Sequence, residues 1–555
     1  MPATPEAVLR EYQRLVQDRQ WWMEGWNAIA STMLPAYHDL LTPSSPGPRR
    51  TGDLYDTTGL QGLTTLASHL AGAVTNFQTR WFDLRMALAP LNEDRDTAAW
   101  LDGCAQTIQD ALAATATPQA FHELYVQYAG FGTAALFVDE GPAGDPRRLL
   151  TRTLPIGTYV LAEDAHGAVD TLYREFELSP RQAAQQFGEA ALHADARQRL
   201  DNAERRHTPE RYLHAVYPRR DRDPGRDDQA HMPYASVYLD VARQHLVSEG
   251  GYRWFPFCVP RWQKLRSSSP WGFGPGHTAL PEVLTLNRMD KDILKALQIH
   301  ILPPYWTDDA DAVGRVSLLP GAINPIGKGS KIEAMRGPGS FDISRLGMEE
   351  RRQRIRQAFY VDQLLALPPP DASGKMTAYE VAQRVSLMQR LMGPAFMRLL
   401  AEFLNPFLDI VFGLMLEAGQ LPEPPDLVAE AAARGYGTLQ VDYEGPLARA
   451  QRGDEIQAIE GTLALAERLF ATTQDVSIYD NFDLDEVLRR GGRIYGIPAA
   501  VMRDATQVRA LREQRQAAQQ ASQEAAALTE GAQALGRAAP MVKALMPAPG
   551  QEVAA

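Results

Sequence analysis

Gly374-Lys375-Met376-Thr377 ends like a phosphate-binding loop, in which backbone amides and a lysine cradle phosphate oxygens. Such a loop needs a second glycine five residues before Gly374, where Pro369 stands, and a strand ahead of it. His122-Glu123 opens a zinc-binding helix motif, but Val126 occupies the place of the second histidine. Gly272–His277 puts a histidine where a dinucleotide fingerprint needs its last glycine, so those glycines read as loop chemistry. Asp309 and Asp311 begin like a calcium loop that Val313 and Pro320 then contradict. No Gly-x-Ser-x-Gly elbow occurs. Asp480, Asp483 and Asp485 bring three carboxylates close in sequence, and the helix expected from about Leu484 accounts for them as N-terminal acids. No catalytic arrangement emerges, and no cofactor or metal is expected.

One charge cluster stands apart. Arg351, Arg352, Arg354 and Arg356 outnumber Glu349 and Glu350 on a helical stretch. Two readings stay open: a face of solvated or inter-subunit ion pairs, or a contact to nucleic acid or an acidic partner.

These side chains need elements to hold them, and composition bounds what those are. The chain has 555 residues, 45% of them hydrophobic and 22% charged, which is ordinary globular composition. At roughly 150 residues per domain it makes three or four domains or one large fold. Lys and Arg number 56 against 68 Asp and Glu, a net charge of −12. A generally basic nucleic-acid binder is thereby excluded, though local contact is not. Cys104 and Cys258 alone build neither a disulfide framework nor a cysteine zinc site. The N-terminus reads as polar helix rather than a signal peptide. The apolar stretch 399–419 carries Glu402, Asn405, Pro406, Asp409 and Glu417, so a buried helix is expected there rather than a membrane span.

Residues 1–140 read as helices, with a loop at 42–50 and a strand at Trp81–Arg85. From about Ala134 the period shortens, and strands are expected near 134–138, 151–155, 159–162, 169–176, 211–217, 235–241 and 254–260. Asp164–Gly167 supplies a turn, and Ser179-Pro180 caps a helix. Val283, Leu286, Met289, Ile293 and Leu297 form one stripe on a helix opening at Pro281 and ending at Pro303-Pro304. A second helix, 344–367, stops at Pro368. Two helices of roughly 35 Å therefore bracket a Gly- and Pro-rich insert, an antiparallel pair carrying a distal knob. Beyond the loop 368–376, Thr377–Glu380 boxes a long helix to about Glu417, kinked at Gly393-Pro394 and Pro406 and capped by Gly419. Residues 445–500 are helical again, and 498–538 predicts a helix rich in Ala, Gln and Arg.

This order resembles the portal, or head-to-tail connecting, proteins of short-tailed bacteriophages. The resemblance is carried by Tyr55–Gly59, Ala67–Leu70, Trp81–Leu84, Cys258–Trp262, Trp271–Gly276, Leu280–Ile299 with Pro303-Pro304, Lys375–Arg384, Gly393–Phe396, Glu402–Pro406 and Gly419–Pro422. Tyr379 departs from the usual second threonine. The resemblance implies a mainly α, α+β portal fold, assembled as a ring. It comprises a wing (1–280), two stem helices (281–300 and 344–366) and the clip between them (301–343). A channel loop (367–376), a long kinked wing helix (377–418), a crown (419–498), a helical barrel (499–538) and a tail (539–555) complete it. It implies twelve copies at one capsid vertex, no enzymatic activity and no membrane insertion. Double-stranded DNA would pass through the channel without sequence specificity. Partners would be the terminase motor, major capsid and scaffold proteins, tail adaptors and internal core proteins, with assembly in the host cytoplasm. Asp371, Ser373, Lys375 and the four arginines are then channel candidates, and Lys328 and Lys331 face partners from the clip. A helical head-tail adaptor without a channel is the alternative.

Overall fold

A computed structural model describes residues 4–37, 52–86, 89–301, 305–307, 332–334, 341–365, 392–433, 439–440, 446–491, 503 and 507–523, with short breaks inside the longer spans. The chain divides into two compact units, Met1–Ala89 with Trp100–Glu455, and Pro90–Ala99 with Ile456–Ala555.

In the first unit, helix α1 (Pro5–Met33) starts where Thr4 caps the amide of Ala7 and Pro5 presets the first turn. Its Val8, Leu9, Tyr12 and Leu15 lie on one face of an antiparallel sheet. That sheet runs β4 (Tyr159–Glu163), β5 (Val169–Leu178), β6 (Glu210–Pro218), β7 (Tyr234–Asp240) and β8 (His245–Tyr252), paired in chain order. The period of two sorts the strands. Val160, Tyr173, Leu213, Ala215, Val237 and Leu239 face α1, whereas Tyr212 and Val247 face helices α5 (Pro180–Phe187) and α6 (Ala194–Asp201). Ser179 and Gln182 form a capping box, as the sequence at Ser179-Pro180 predicts. Strand β8 was not legible in its sequence: Ser248, Glu249, Gly250 and Gly251 are poor strand formers, and pairing with β7 imposes the conformation.

A second sheet joins β2 (Ala135–Glu140) to β3 (Leu149–Leu154) and β9 (Phe257–Cys258). Arg174 of β5 pins the two sheets together. Its guanidinium lies 4.8 Å from the Phe137 ring and 5.0 Å from the Phe176 ring.

The strand expected at Trp81–Arg85 shrinks to β1 (Arg85–Met86). Trp81 and Phe82 are buried, with Trp81 edge-on to Phe77, Phe82 and Phe121, so side-chain packing holds this segment in place of a ladder.

Helices α2 (Thr58–Val74), α3 (Arg95–Ala114) and α4 (Thr117–Phe131) lie where the apolar periodicity puts them. Helix α7 (Pro275–Ile301) begins ahead of the expected Pro281, which sits inside it. The glycines of Gly272–Gly276 explain the early start. A Cβ on Gly272 or Gly274 would run into Gly132, and one on Gly276 into the carbonyl oxygen of Gly130, so the backbones of α4 and α7 cross at glycine-to-glycine contact. Gly132 itself ends α4 at φ 71°. Strands β10 (Tyr305–Thr307) and β11 (Ile332–Ala334) pair antiparallel within the insert. The expected single helix 344–367 is instead α8 (Phe341–Ala358) and α9 (Val361–Leu365), parted at Tyr360, whose φ is +58°.

Met392–Glu417 is long and apolar enough to cross a membrane, but 56% of its most apolar window is buried inside the protein. Phe403 and Phe407 stack edge-on against Phe121 of α4 at 4.8 and 4.9 Å. Pro406 has no N–H to give the previous turn, and the helix widens to a π turn at Leu400–Leu404 before continuing as α10 (Asn405–Glu417). Gly419 ends α10 at φ 65°, with the Gln420 amide returning to the Met415 carbonyl.

Helix α11 (Asp426–Ala433) lies in the first unit; helix α12 (Pro446–Thr473), whose residues from Ile456 on belong to the second, is followed by a 3-10 turn, and Phe470 packs on Tyr479. Asp483 caps the amide of Asp485, as expected of N-terminal acids, and Asp485 is held by Arg512 through two 2.6 Å bonds. Residues 507–523 are helical.

Candidate functional site

Asp371, Ser373, Lys375, Lys328 and Lys331 lie outside the described residues, as do Gly374 and the calcium-like Asp309 and Asp311. Arg351, Arg352, Arg354 and Arg356 lie on α8, and each meets a carboxylate. Arg351 and Arg354 both reach Glu282 of α7, at 2.5 and 3.2 Å. Arg354 also holds Glu350 at 2.6 Å, and Arg356 holds Glu349 at 2.8 Å. Arg352 spans three elements, with Asp56 at 3.0 Å, Asp290 of α7 at 3.5 Å and Glu349 at 3.9 Å. Arg351, Arg352 and Arg354 thus zip the helix pair together, while Arg356 pairs within its own stretch of chain. Burial alone would raise the Glu282 carboxyl, but the hydrogen bonds and charges of Arg351 and Arg354 hold it below the usual carboxylate range. Asp290 moves the other way, raised by burial and by the nearby Asp56 carboxylate.

Asp56 belongs to the segment Tyr55–Gly59, which docks on the root of the pair. The Asn287 side chain accepts from the amides of Tyr55 (2.7 Å) and Asp56 (3.3 Å) and donates to the Asp53 carbonyl (2.9 Å). Lys291 sits 5.3 Å from the Tyr55 ring centre. One turn on, α2 presents Gly59 and Gly62 as cups: a Cβ on Gly59 would lie 2.9 Å from Val283 of α7, and one on Gly62 would lie 2.8 Å from Phe359. Small residues here let both helices of the pair seat on α2.

A second joint holds the base of this assembly. Arg261, in the stretch Cys258–Trp262, is bound by the Glu402 carboxylate at 2.7 and 3.1 Å, by Glu163 and by the Gly167 carbonyl at 3.0 Å. Lys264 adds 2.6 Å bonds to Glu163. Side-chain exposures of 3% for Arg261, 9% for Glu163 and 20% for Glu402 make this a mostly buried network. Glu402 lies in the π turn ahead of Pro406, and Asp164–Gly167 is the β4–β5 turn foreseen from sequence. Next to Arg261, the Trp262 amide bonds the Gly132 carbonyl at 2.8 Å.

Sequence reasoning singled out the arginines but not their partners. Glu282, Asn287 and Asp290 follow on α7 at steps of five and three, a spacing that neither defines one helix face nor names a partner. The only signal for Arg261 and Glu402 was their place in the segments that carry the resemblance. Among the described residues, no group of three or more His, Cys, Asp or Glu is placed to hold a metal ion.

Charges here join helix to helix and helix to sheet within the chain. The chain belongs to the bacteriophage head to tail connecting protein family, which it matches over residues 6–502. It is 29% identical to the probable portal protein of Bordetella phage BPP-1 over 95% of this chain and 93% of the relative. It is 26% identical to the portal protein of Salmonella phage epsilon15, over 96% and 94%. A chain in the neck of an empty gene transfer agent particle aligns over 74% of this chain and 90% of its own length, at 14% identity and a TM-score of 0.33. By family and relatives it is a portal-type virion connector, not an enzyme.

Proposed function

We propose that twelve copies of this chain close into a ring at one capsid vertex and pass double-stranded DNA inward during packaging and outward during ejection. The observation that carries the reading is kinship with portal proteins over nearly the whole length, and the ion-paired helix pair α7–α8 is consistent with a stem. Leu294, Leu297 and Ile301, at the far end of α7, are 47%, 40% and 73% exposed, an apolar edge suited to a neighbouring subunit. In this reading residues 1–280 with the helix 377–418 form the wing, 281–300 and 344–366 the stem, 301–343 the clip, 419–498 the crown and 499–538 the barrel. Lys328 and Lys331 face the terminase motor and later the tail adaptors, while capsid, scaffold and internal core proteins surround the ring.

The net charge of −12 suits a conduit: sparse positive charge on an acidic wall lets the duplex slide, where dense neutralisation would hold it. Lys375, with Asp371 and Ser373 beside it in the loop 367–376, contacts passing phosphates. The arginines Arg351, Arg352, Arg354 and Arg356 add positive potential already balanced by carboxylates. Lys375→Glu alters packaged length or DNA retention; unchanged length and particle yield would remove the loop from the mechanism. Negative-stain electron microscopy with mass measurement tests the ring. Holed particles of about twelve subunit masses support it, and a uniform monomer or dimer favours the channel-free adaptor.

A further inference from the structure

We infer that the break at Phe359-Tyr360 is a two-state joint, in which α8 and α9 pass between the broken form described here and one continuous helix. From Met348 to Leu367 the sequence has neither Gly nor Pro, so local propensity favours an unbroken helix. The structure instead places Tyr360 at φ +58°. A bulky aromatic residue in the left-handed region is strained, and nothing in the local sequence demands it. Such a conflict between local preference and tertiary structure marks strained or functional positions.

Packing against α2 holds the broken form. Phe359 is fully buried, with its ring against Gly62, and Val361 and Leu364 are buried just beyond. Arg356 and Asp362 pair at 3.7 Å across a separation of six residues, a spacing that helical neighbours three or four apart do not provide. Burial of Phe359, Val361 and Leu364 favours the broken form, while relief of the left-handed penalty and the added backbone bonds favour the continuous one, so the two sets of effects oppose each other. The forms differ at named amides. In the broken form the Leu364 amide returns to the Tyr360 carbonyl, and those of Val361, Asp362 and Gln363 precede that first bond as the orphan donors of a new helix. In the continuous form those three amides bond the carbonyls of Gln357, Ala358 and Phe359. Switching thus redirects the chain leaving the helix pair. The inference stands whether or not the ring carries DNA.

Hydrogen exchange of the full-length assembled protein, read residue by residue, tests it with two substitutions of opposite effect. Gly62→Ala drives a methyl group into Phe359 and should slow exchange at Val361, Asp362 and Gln363 by about ten-fold or more. Tyr360→Gly removes the left-handed penalty and should leave those three amides fast, whereas the Leu364 amide, bonded to the Tyr360 carbonyl in both forms, should not discriminate. The joint is refuted if the three amides exchange in Gly62→Ala as fast as in the parent, or faster, while Tyr360→Gly remains folded.

Discussion

Arg261→Met is the most incisive test of how the π turn ahead of α10 is held to the β4–β5 turn. The arginine is 3% exposed and offers its charge to two carboxylates, Glu402 and Glu163, of which, among the described residues, only Glu163 has a second ion-paired cation, Lys264. Methionine fills most of the volume but takes the guanidinium away from Glu402, which keeps the backbone amide of residue 261 at 2.9 Å. Breaking one side of a buried ion pair typically costs about 3–5 kcal/mol, because an uncompensated charge remains. Glu402 retains 20% exposure, which lets water relieve part of that cost and places the expected loss near the lower end, about 3 kcal/mol. Glu402→Gln alone leaves Arg261 with Glu163 and should cost less, about 1–2 kcal/mol. In the double substitution both charges disappear together, so the loss should fall short of the sum by at least about 1 kcal/mol. Urea unfolding followed by tryptophan fluorescence is the assay, since Trp262 adjoins the network. A loss under about 1 kcal/mol for Arg261→Met, or strict additivity in the double variant, would show that the network is incidental.

Gly276→Ala should prevent soluble folding or cost more than about 3 kcal/mol, because the added methyl meets backbone at Gly130 rather than a movable side chain; yield and thermal melting check it. Burial lowers the His277 pKa to about 4, and its Nδ1 accepts the Gly274 amide at 3.3 Å only when unprotonated. Its contribution is therefore complete above pH 6.5 and lost as pH falls through about 4, so melting temperature should drop across that window, and less so in His277→Gln. Glu282→Gln removes two partly exposed ion pairs and should cost only about 0.5–1 kcal/mol, a difference that 1 M salt erases in a melting experiment.

The elements with a strong period were legible from residues alone. Leu213 and Ala215 against Tyr212 declare a two-faced strand, and Val283 with Leu286 declare a helix face. Ser179-Pro180 and Gly419 announce their caps because their chemistry is local. Strand β8 was not legible, since Gly250 and Gly251 take their conformation from β7 across the ladder. The apolar Trp81–Leu84 read as strand, yet its rings found partners in Phe77 and Phe121 instead.

For the candidate site the division is sharper. Sequence showed four arginines against two glutamates over 349–356, and α8 as a whole carries five arginines against Asp342, Glu349 and Glu350. It could not show Glu282 and Asp290 on α7 or Asp56 ahead of α2, because ion pairing depends on which faces meet. The glycines of Gly272–Gly276 were visible as a motif, but their reason is the carbonyl of Gly130 more than a hundred residues earlier. By itself the sequence determined most of the described helices and strands, the caps at Ser179-Pro180 and Gly419, and membership of the connector family, since each is written in short-range pattern or in the order of segments. Only the tertiary structure decided the partners of each charge and the break at Tyr360. Charge pairing and burial act between residues distant in sequence, and at Tyr360 they outweigh what the local chain prefers.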